Sequence, residues 1–254
     1  MKADYKNWMP KGMVLGTIGI TEAICFVTVI VGIASIVGNV LLILTVLFAL
    51  ISFWMYLMYR AFSYNGTRQM SKQIIEGVSS YVKIPDGGKC LDVGCGSGAL
   101  SIACANKNPG AQIIGIDRWG KEYASFRKSL CESNSVAEGV NNTSFQQGDA
   151  CKLDFADETF DAVTSNYVYH NIPSKDRQAI LLETLRTLKK GGTFAIHDIM
   201  SRFRYGDMQN FIEELKSEGY EEVRLIPTDN GKFMSKLEGT LMMLKGSALL
   251  VGKK

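Results

Sequence analysis

The sequence has few of the residues that build metal centres and disulfide scaffolds. It holds two histidines and six cysteines, and no two cysteines form a C-x-x-C pair. Cys25, Cys90, Cys95, Cys104, Cys131 and Cys151 are scattered, several of them inside apolar patterns. That distribution excludes a zinc site, so no metal is expected. The thiols read as buried, reduced side chains of a reducing compartment. The excess of basic charge is also small: the net charge is +3, with no long basic run, which argues against nucleic acid as a partner. From Gly12 to Tyr59 charge is almost missing, with Glu22 the only charged residue.

A bilayer core of about 30 Å takes about 20 apolar residues per helix, and this stretch supplies two such spans. It predicts a helical hairpin over residues 1–62, with spans near 12–35 and 40–60 and a break at Val37-Gly38-Asn39. A signal peptide has a much shorter apolar region, and a soluble helix normally shows a charged stripe. Lys2, Lys6 and Lys11 precede the first span, and Arg60, Arg68 and Lys72 follow the second. The positive-inside rule then places both termini and the remainder of the chain in the cytoplasm. Trp8, Trp54, Tyr56 and Tyr59 suit an interfacial aromatic belt. Glu22, an acid inside a span, is read as a packing or assembly residue, so a homo-oligomer through the membrane helices is a candidate arrangement.

Beyond the hairpin, residues 63–254 alternate between helix and strand patterns. Met70, Ile74, Ile75, Val78 and Tyr81 recur at helical spacing and predict a helix over 67–82. Strands are expected at 89–93, 112–116, 143–147, 159–165 and 193–198, with helices at 98–106, 119–133 and 174–190. The last of these is capped by Ser174 and stopped at Gly191-Gly192. The alternation implies a doubly wound α/β fold with a mostly parallel sheet, whose ligands bind at the carboxyl ends of the strands. Tyr220–Ile226 and Ser247–Lys253 read as two further strands without a full crossover helix between them.

Gly94-Cys95-Gly96-Ser97-Gly98-Ala99 follows the first strand and fits G-x-G-x-x-A, a variant of the dinucleotide fingerprint. A dehydrogenase and an enzyme of another adenosine cofactor share those letters. The acids at later strand ends separate them. Asp92 stands two residues before Gly94, where it would meet a cationic ligand group and repel a pyrophosphate. Asp117 ends the second strand, where an acid accepts ribose hydroxyls. Gly148-Asp149-Ala150 follows the third strand, and Asn166 ends the fourth.

This set, with Leu188-Lys189-Lys190-Gly191-Gly192, resembles class I S-adenosylmethionine-dependent methyltransferases over about residues 66 to 253. The resemblance implies a seven-stranded, mostly parallel Rossmann-like sheet with a carboxyl-terminal antiparallel strand, and S-adenosyl-L-methionine as cofactor. It implies that Asp92 and the loop of Gly94, Cys95, Gly96 and Gly98 hold the methionine part. Asp117 would bind the ribose, with Arg118 and Trp119 beside it and Trp119 against the ring. Asp149 and Ala150 would bind the adenine, and Asn166 would complete the site.

Methyl transfer needs a general base only if the acceptor must lose a proton. Asn166-Tyr167-Val168-Tyr169-His170-Asn171 resembles the stretch beside the substrate pocket in the ubiquinone and menaquinone C-methyltransferase branch. His197-Asp198 closes the fifth strand on the same edge. His170, His197 and Tyr167 are therefore the catalytic candidates. Arg202, Arg204 and Tyr205 are candidates for shaping the acceptor site, whereas Met234, Met242 and Met243 read as core packing. The turn before Gly191 lacks the proline common in that branch, and the hairpin is a further departure. It points to a small or lipophilic acceptor met at the bilayer. An NAD(P)-dependent oxidoreductase and a membrane-tethered, non-catalytic S-adenosylmethionine sensor are the alternatives. Nicotinamide binding would mark the first, and cofactor binding without turnover the second.

Overall fold

A computed structural model describes residues 2–120 and 125–254. It divides into two compact units: Lys6–Lys72, and Gln73–Lys254 together with the residues up to Tyr5.

The smaller unit is a helical hairpin, α1 (Lys11–Val31) and α2 (Ile36–Phe62). Among the described residues these two helices are long and apolar enough to cross a membrane, and 11% of each apolar window is buried. The turn falls earlier than Val37-Gly38-Asn39, because Gly32 (φ 71°) stops α1 and the Ser35 side chain caps α2, accepting the Gly38 N–H at 3.0 Å. Gly38 lies inside α2, where a Cβ would stand 1.8 Å from the Gly32 carbonyl oxygen; only glycine lets the helices turn so closely. Hydroxyl pairs join the helices, Thr21 to Ser52 at 3.2 Å and Thr28 to Thr45 at 3.3 Å. Asn7 Nδ2 donates to the Tyr59 carbonyl at 2.8 Å and Trp8 packs on Phe62, closing the open end. Glu22 is exposed on the outer surface.

The larger unit is built on a seven-stranded sheet: β1 (Lys89–Val93), β2 (Gln112–Asp117), β3 (Thr143–Gln147), β4 (Phe160–Asn166), β5 (Leu188–Ile199), β6 (Glu221–Pro227) and β7 (Ser247–Lys253). The order is β3-β2-β1-β4-β5-β7-β6, with β7 antiparallel to both neighbours and the other pairings parallel. The helices are α3 (Met70–Ser79), α4 (Ala99–Lys107), α5 (Lys128–Ala137), α6 (Arg177–Arg186), α7 (Arg202–Tyr205), α8 (Met208–Ser217) and α9 (Lys236–Leu241). β1 and β4 are buried along most of their length because both faces of the sheet are covered. Leu91, Val163, Phe194 and Ile196 meet Leu181, Leu185, Phe211 and Leu215 in one buried cluster. Truncating Phe194, which has no exposed surface, would cost about 3–5 kcal/mol. The chain leaves β1 in one direction to β2 and β3 and in the other to β4 and β5. The crevice at that switch point is where such sheets bind ligands.

Several elements differ from expectation. The helix expected over 174–190 begins at Arg177 behind an Asp176 cap, not Ser174, and ends at Arg186; Leu188 already pairs with Phe160 as the start of β5. Arg186 fixes that end by donating to Asp157, Glu183 and the Leu153 and Phe155 carbonyls. The helix expected from 119 begins at Lys128: Trp119 is left-handed (φ 43°) and Arg127 extended, while residues 121–124 lie outside the described residues. Helix α8 was not foreseen, although its signal is plain in retrospect. Asp207 caps it, and Met208, Phe211, Ile212 and Leu215 follow at helical spacing on the buried face.

Candidate functional site

After β1, Gly94, Gly96 and Gly98 all take left-handed backbone, with φ of 73°, 56° and 81°. A Cβ on Gly94 would lie 2.2 Å from Val168, and one on Gly98 3.1 Å from Phe145. At Gly96 a Cβ would meet nothing within 4 Å, so the crest of the loop is open. The Gly96 peptide is locked on both sides. Its N–H donates to Asp117 Oδ2 at 2.9 Å, and its carbonyl accepts from Trp119 Nε1 at 3.1 Å and Cys131 Sγ at 3.2 Å. The Gly94 and Cys95 amides both donate to the Ile116 carbonyl, which fastens the loop to β2.

Asp92 lies beneath this loop, 1% exposed, accepting from Ser101 Oγ at 2.5 Å and Thr164 Oγ1 at 3.2 Å. Burial pushes its carboxyl up to about 7, against the pull of the two hydroxyls. It braces the loop from inside the sheet; the expected direct meeting with a cationic ligand group is not what this placement offers. Asp117 accepts from the Gly96 and Trp119 amides, one on each oxygen, and each oxygen keeps a further lone pair. Trp119 packs with Cys95, Cys131 and Phe145 at the flank of the loop. Arg118 and Asp149 are exposed and Ala150 is half-buried. Asp149 accepts the Cys151 amide at 2.9 Å, shaping its own turn. Acceptor carboxylates at the end of β2 and just after β3, beside an open glycine crest, match the hydroxyl and amino donors of a nucleoside. The residues present fit S-adenosylmethionine. Cys90, Cys95, Cys104 and Cys131 are buried and free. Among the described residues no cluster of His, Cys, Asp and Glu could hold a metal.

The second half of the site gathers all three catalytic candidates. His197 is fully buried, with Nδ1 on Asn166 Oδ1 and Nε2 on Thr228 Oγ1, both at 2.8 Å. Burial pushes its pKa down to about 3, so it stays neutral. Both ring nitrogens are engaged, leaving none for a ligand. Tyr167 sits in left-handed backbone (φ 56°), its hydroxyl 2.7 Å from Ser247 Oγ and its ring edge-on to both histidines. Burial raises its hydroxyl well above the usual phenol range. His170 differs from both: its Nδ1 is 2.5 Å from Asp198 Oδ1, its side chain is 16% exposed, and Nε2 has no hydrogen bond among the described residues.

Sequence reasoning did not single out Asp198. Fully buried, it accepts from the His170 and Ile199 amides as well as facing the His170 ring. Burial alone would raise its pKa, but the His170 bond and charge and the Ile199 amide outweigh it and hold the carboxyl below the usual range. Its signal was the Asp that directly follows His197 near the end of β5. Arg177 was also missed. It donates to the carbonyls of Tyr169, Ile172 and Arg204, while Arg204 donates to that of His170 at 3.2 Å, and the turn carrying His170 is held from both sides. Asn134 was missed as well: its Nδ2 donates to Ser97 O at 2.9 Å and Asp4 O at 3.1 Å, and its Oδ1 accepts the Asp4 amide at 2.7 Å. Of the segment between β6 and β7, Met234 is core and Met243 is exposed.

Comparison with known proteins agrees with this geometry. A methyltransferase-domain family model matches residues 84–238, more than half of the chain. A demethylmenaquinone methyltransferase of Lactobacillus johnsonii is 34% identical over 116 residues, 45% of this chain and 45% of the relative. The chain spans less than half the length of such curated relatives. Two solved structures share the fold: a geranyl diphosphate methyltransferase in complex with GPP and sinefungin (TM-score 0.55, 12% identity, 77% of this chain and 81% of that one) and the [4+2]-cyclase SpnF (TM-score 0.56, 17% identity, 76% and 85%). A nucleoside-matched glycine crest on a sheet of this order, within a matching domain model, places the chain in the methyltransferase-domain family.

Proposed function

We propose that the protein is a membrane-anchored methyltransferase acting on a small or lipophilic acceptor, with His170 as the proton acceptor. The observation that carries this reading is the His170–Asp198 pair, which leaves one ring nitrogen free at the carboxyl edge of the sheet. The anchor is supported by two apolar helices whose side chains are mostly exposed, flanked by Lys2, Lys6, Lys11, Arg60, Arg68 and Lys72. On the positive-inside rule both ends and the catalytic unit face the cytoplasm. Glu22, exposed within the first span, has the placement of a contact to a second copy.

Bound S-adenosylmethionine supplies a methyl group activated by its positively charged sulfur. Asp117 would bind the ribose, Asp149 and the Ala150 backbone the adenine, and the Gly94–Gly98 loop the methionine part. Asp92 acts on that part through the loop. Asp198 fixes the tautomer of His170 by accepting from Nδ1, so Nε2 carries the lone pair. His170 Nε2 would take the proton that the acceptor loses, and Asp198 would offset the imidazolium charge. Tyr167 and His197 wall the site and keep water out.

Membranes holding the protein are incubated with methyl-labelled cofactor and extracted with organic solvent. Label in the lipid phase, absent with His170→Ala, is the expected result; label only in aqueous products rejects the lipophilic acceptor. Reporters fused at residues 1 and 254 should both lie in the cytoplasm, and opposite sides would reject the two-span anchor.

A further inference from the structure

The catalytic unit exposes few large apolar side chains, and most of them share one place. Of the six that are described, Val136 and Leu182 stand singly, whereas Phe203, Leu237, Leu241 and Met243 belong to two adjoining segments. Phe203 is 99% exposed on α7; Leu237 and Met243, at 68% and 65%, stand on α9 and just beyond it. The segments meet where Ile199 pairs with Ser247 and where a Cβ on Gly246 would lie 3.3 Å from the Ser201 Cβ. This rim borders the site: β5 ends at Ile199, one residue past Asp198, and Arg204 of α7 holds the His170 carbonyl.

The charge around these tips has one dominant sign. Arg202, Lys232, Lys236 and Lys245 are exposed on the same segments. Of the acids there, Glu238 closes the cap of α9 by accepting the Ser235 amide, and Asp229 accepts the Gly246 amide at 2.7 Å. Apolar tips among exposed cations are the chemistry of an interface with anionic lipid: the rings and leucines enter the acyl boundary while the cations meet the headgroups. A soluble protein partner would not need that pairing, and the same chain carries two apolar helices.

We propose that this rim seats the His170 edge of the sheet directly on an anionic bilayer surface, so that the acceptor reaches the site from the lipid. The proposal rests on the membrane-anchored reading for the presence of the bilayer and on nothing about the identity of the acceptor.

The test uses the full chain in proteoliposomes. Phe203→Trp places a fluorophore on the rim, and Val136→Trp places one at the end of α5 just before β3 begins, at the opposite edge of the sheet. Lipids with brominated acyl chains quench a tryptophan they touch. In vesicles of phosphatidylcholine with phosphatidylserine, the emission added by Phe203→Trp should be blue-shifted and quenched, while that added by Val136→Trp should not. In phosphatidylcholine alone, or at high salt, the quenching should weaken. Equal quenching of the two variants in every composition overturns the proposal. So does a Phe203→Trp shift that follows protein concentration in detergent, which would mark a second copy as the occupant. Cofactor affinity, measured by calorimetry, verifies that both variants are folded. Turnover is read separately, so failure of the acceptor assignment leaves the quenching result standing.

Discussion

His170 and Asp198 are joined twice: the Asp198 carboxylate accepts the His170 backbone amide at 3.1 Å on one oxygen and faces Nδ1 at 2.5 Å with the other. One buried acid thus sets both the position of the backbone and the orientation of the ring. If the two act as a unit, His170→Ala lowers kcat by about 10²–10⁴-fold with little change in cofactor affinity. Asp198→Asn also lowers kcat, and the double variant is no slower than the worse single one. Multiplying effects would show that they act independently. Steady-state rates with the acceptor identified by labelling decide the matter.

Asp117 supports both halves of the proposed cofactor contact, since it holds the Gly96 amide and retains lone pairs for the ribose. Each lost bond to a charged acceptor costs about 1.5–3 kcal/mol. Asp117→Ala should therefore weaken S-adenosylmethionine at least about tenfold, since 1.4 kcal/mol is a factor of ten. Unchanged affinity by calorimetry would falsify the ribose assignment.

Two buried groups tilt stability in opposite directions with pH. Asp92 has a folded pKa raised from 3.8 to about 7, so the folded state keeps a proton the unfolded state has lost, and stability falls as pH rises through that window. His197 has a folded pKa lowered from 6.5 to about 3, so stability rises as pH rises through its window and is lost towards acid. Each contributes a slope of about 1.4 kcal/mol per pH unit, and between about pH 4 and 6.5 the two cancel. Asp92→Asn should expose the rising slope and His197→Gln the falling one, read as melting temperature against pH. Parallel profiles for wild type and both variants would show that neither group is buried as described.

Asn134 holds the glycine loop and the amino-terminal segment with one side chain, through Ser97 and Asp4. The cofactor motifs all lie beyond residue 60, so the sequence alone leads one to expect that deleting residues 1–60 spares cofactor binding. Asp4 changes that expectation. Deleting residues 2–5 should weaken S-adenosylmethionine, and Asn134→Ala should do so further while lowering stability by about 1–3 kcal/mol for the unpaired Ser97 carbonyl. Equal affinity in all three proteins would reduce the Asp4 contact to a surface detail.

The sheet was legible because most of its strands carry short apolar runs that stop at glycine or acid, and β1 and β7 fall at their expected limits. The glycine loop was legible because left-handed backbone is written as glycine. What stayed hidden depends on burial. Nothing in the order of residues tells that His197 faces Thr228 and Asn166 while His170 reaches the surface, although both histidines sit at the same edge. Asp92 reads as a ligand contact by position, yet Ser101 and Thr164, from two other elements, close over it. Helix ends shifted where side chains far along the chain, such as those around Arg186, fix them.

The place of β7 has a consequence for assembly. It is the last of the seven strands in the chain, yet it lies inside the sheet, flanked by β5 and β6. During synthesis β5 presents a bare edge, and β6 has no partner at all, until Ser247–Lys253 has emerged. The hairpin, by contrast, is complete by residue 62. On the proposed anchor, a nascent chain is tethered long before its sheet can close, and its unpaired β5 edge is held beside others of its kind in two dimensions. Such an edge templates strand pairing between chains. The exposure of that edge lasts until Ser247–Lys253 has arrived.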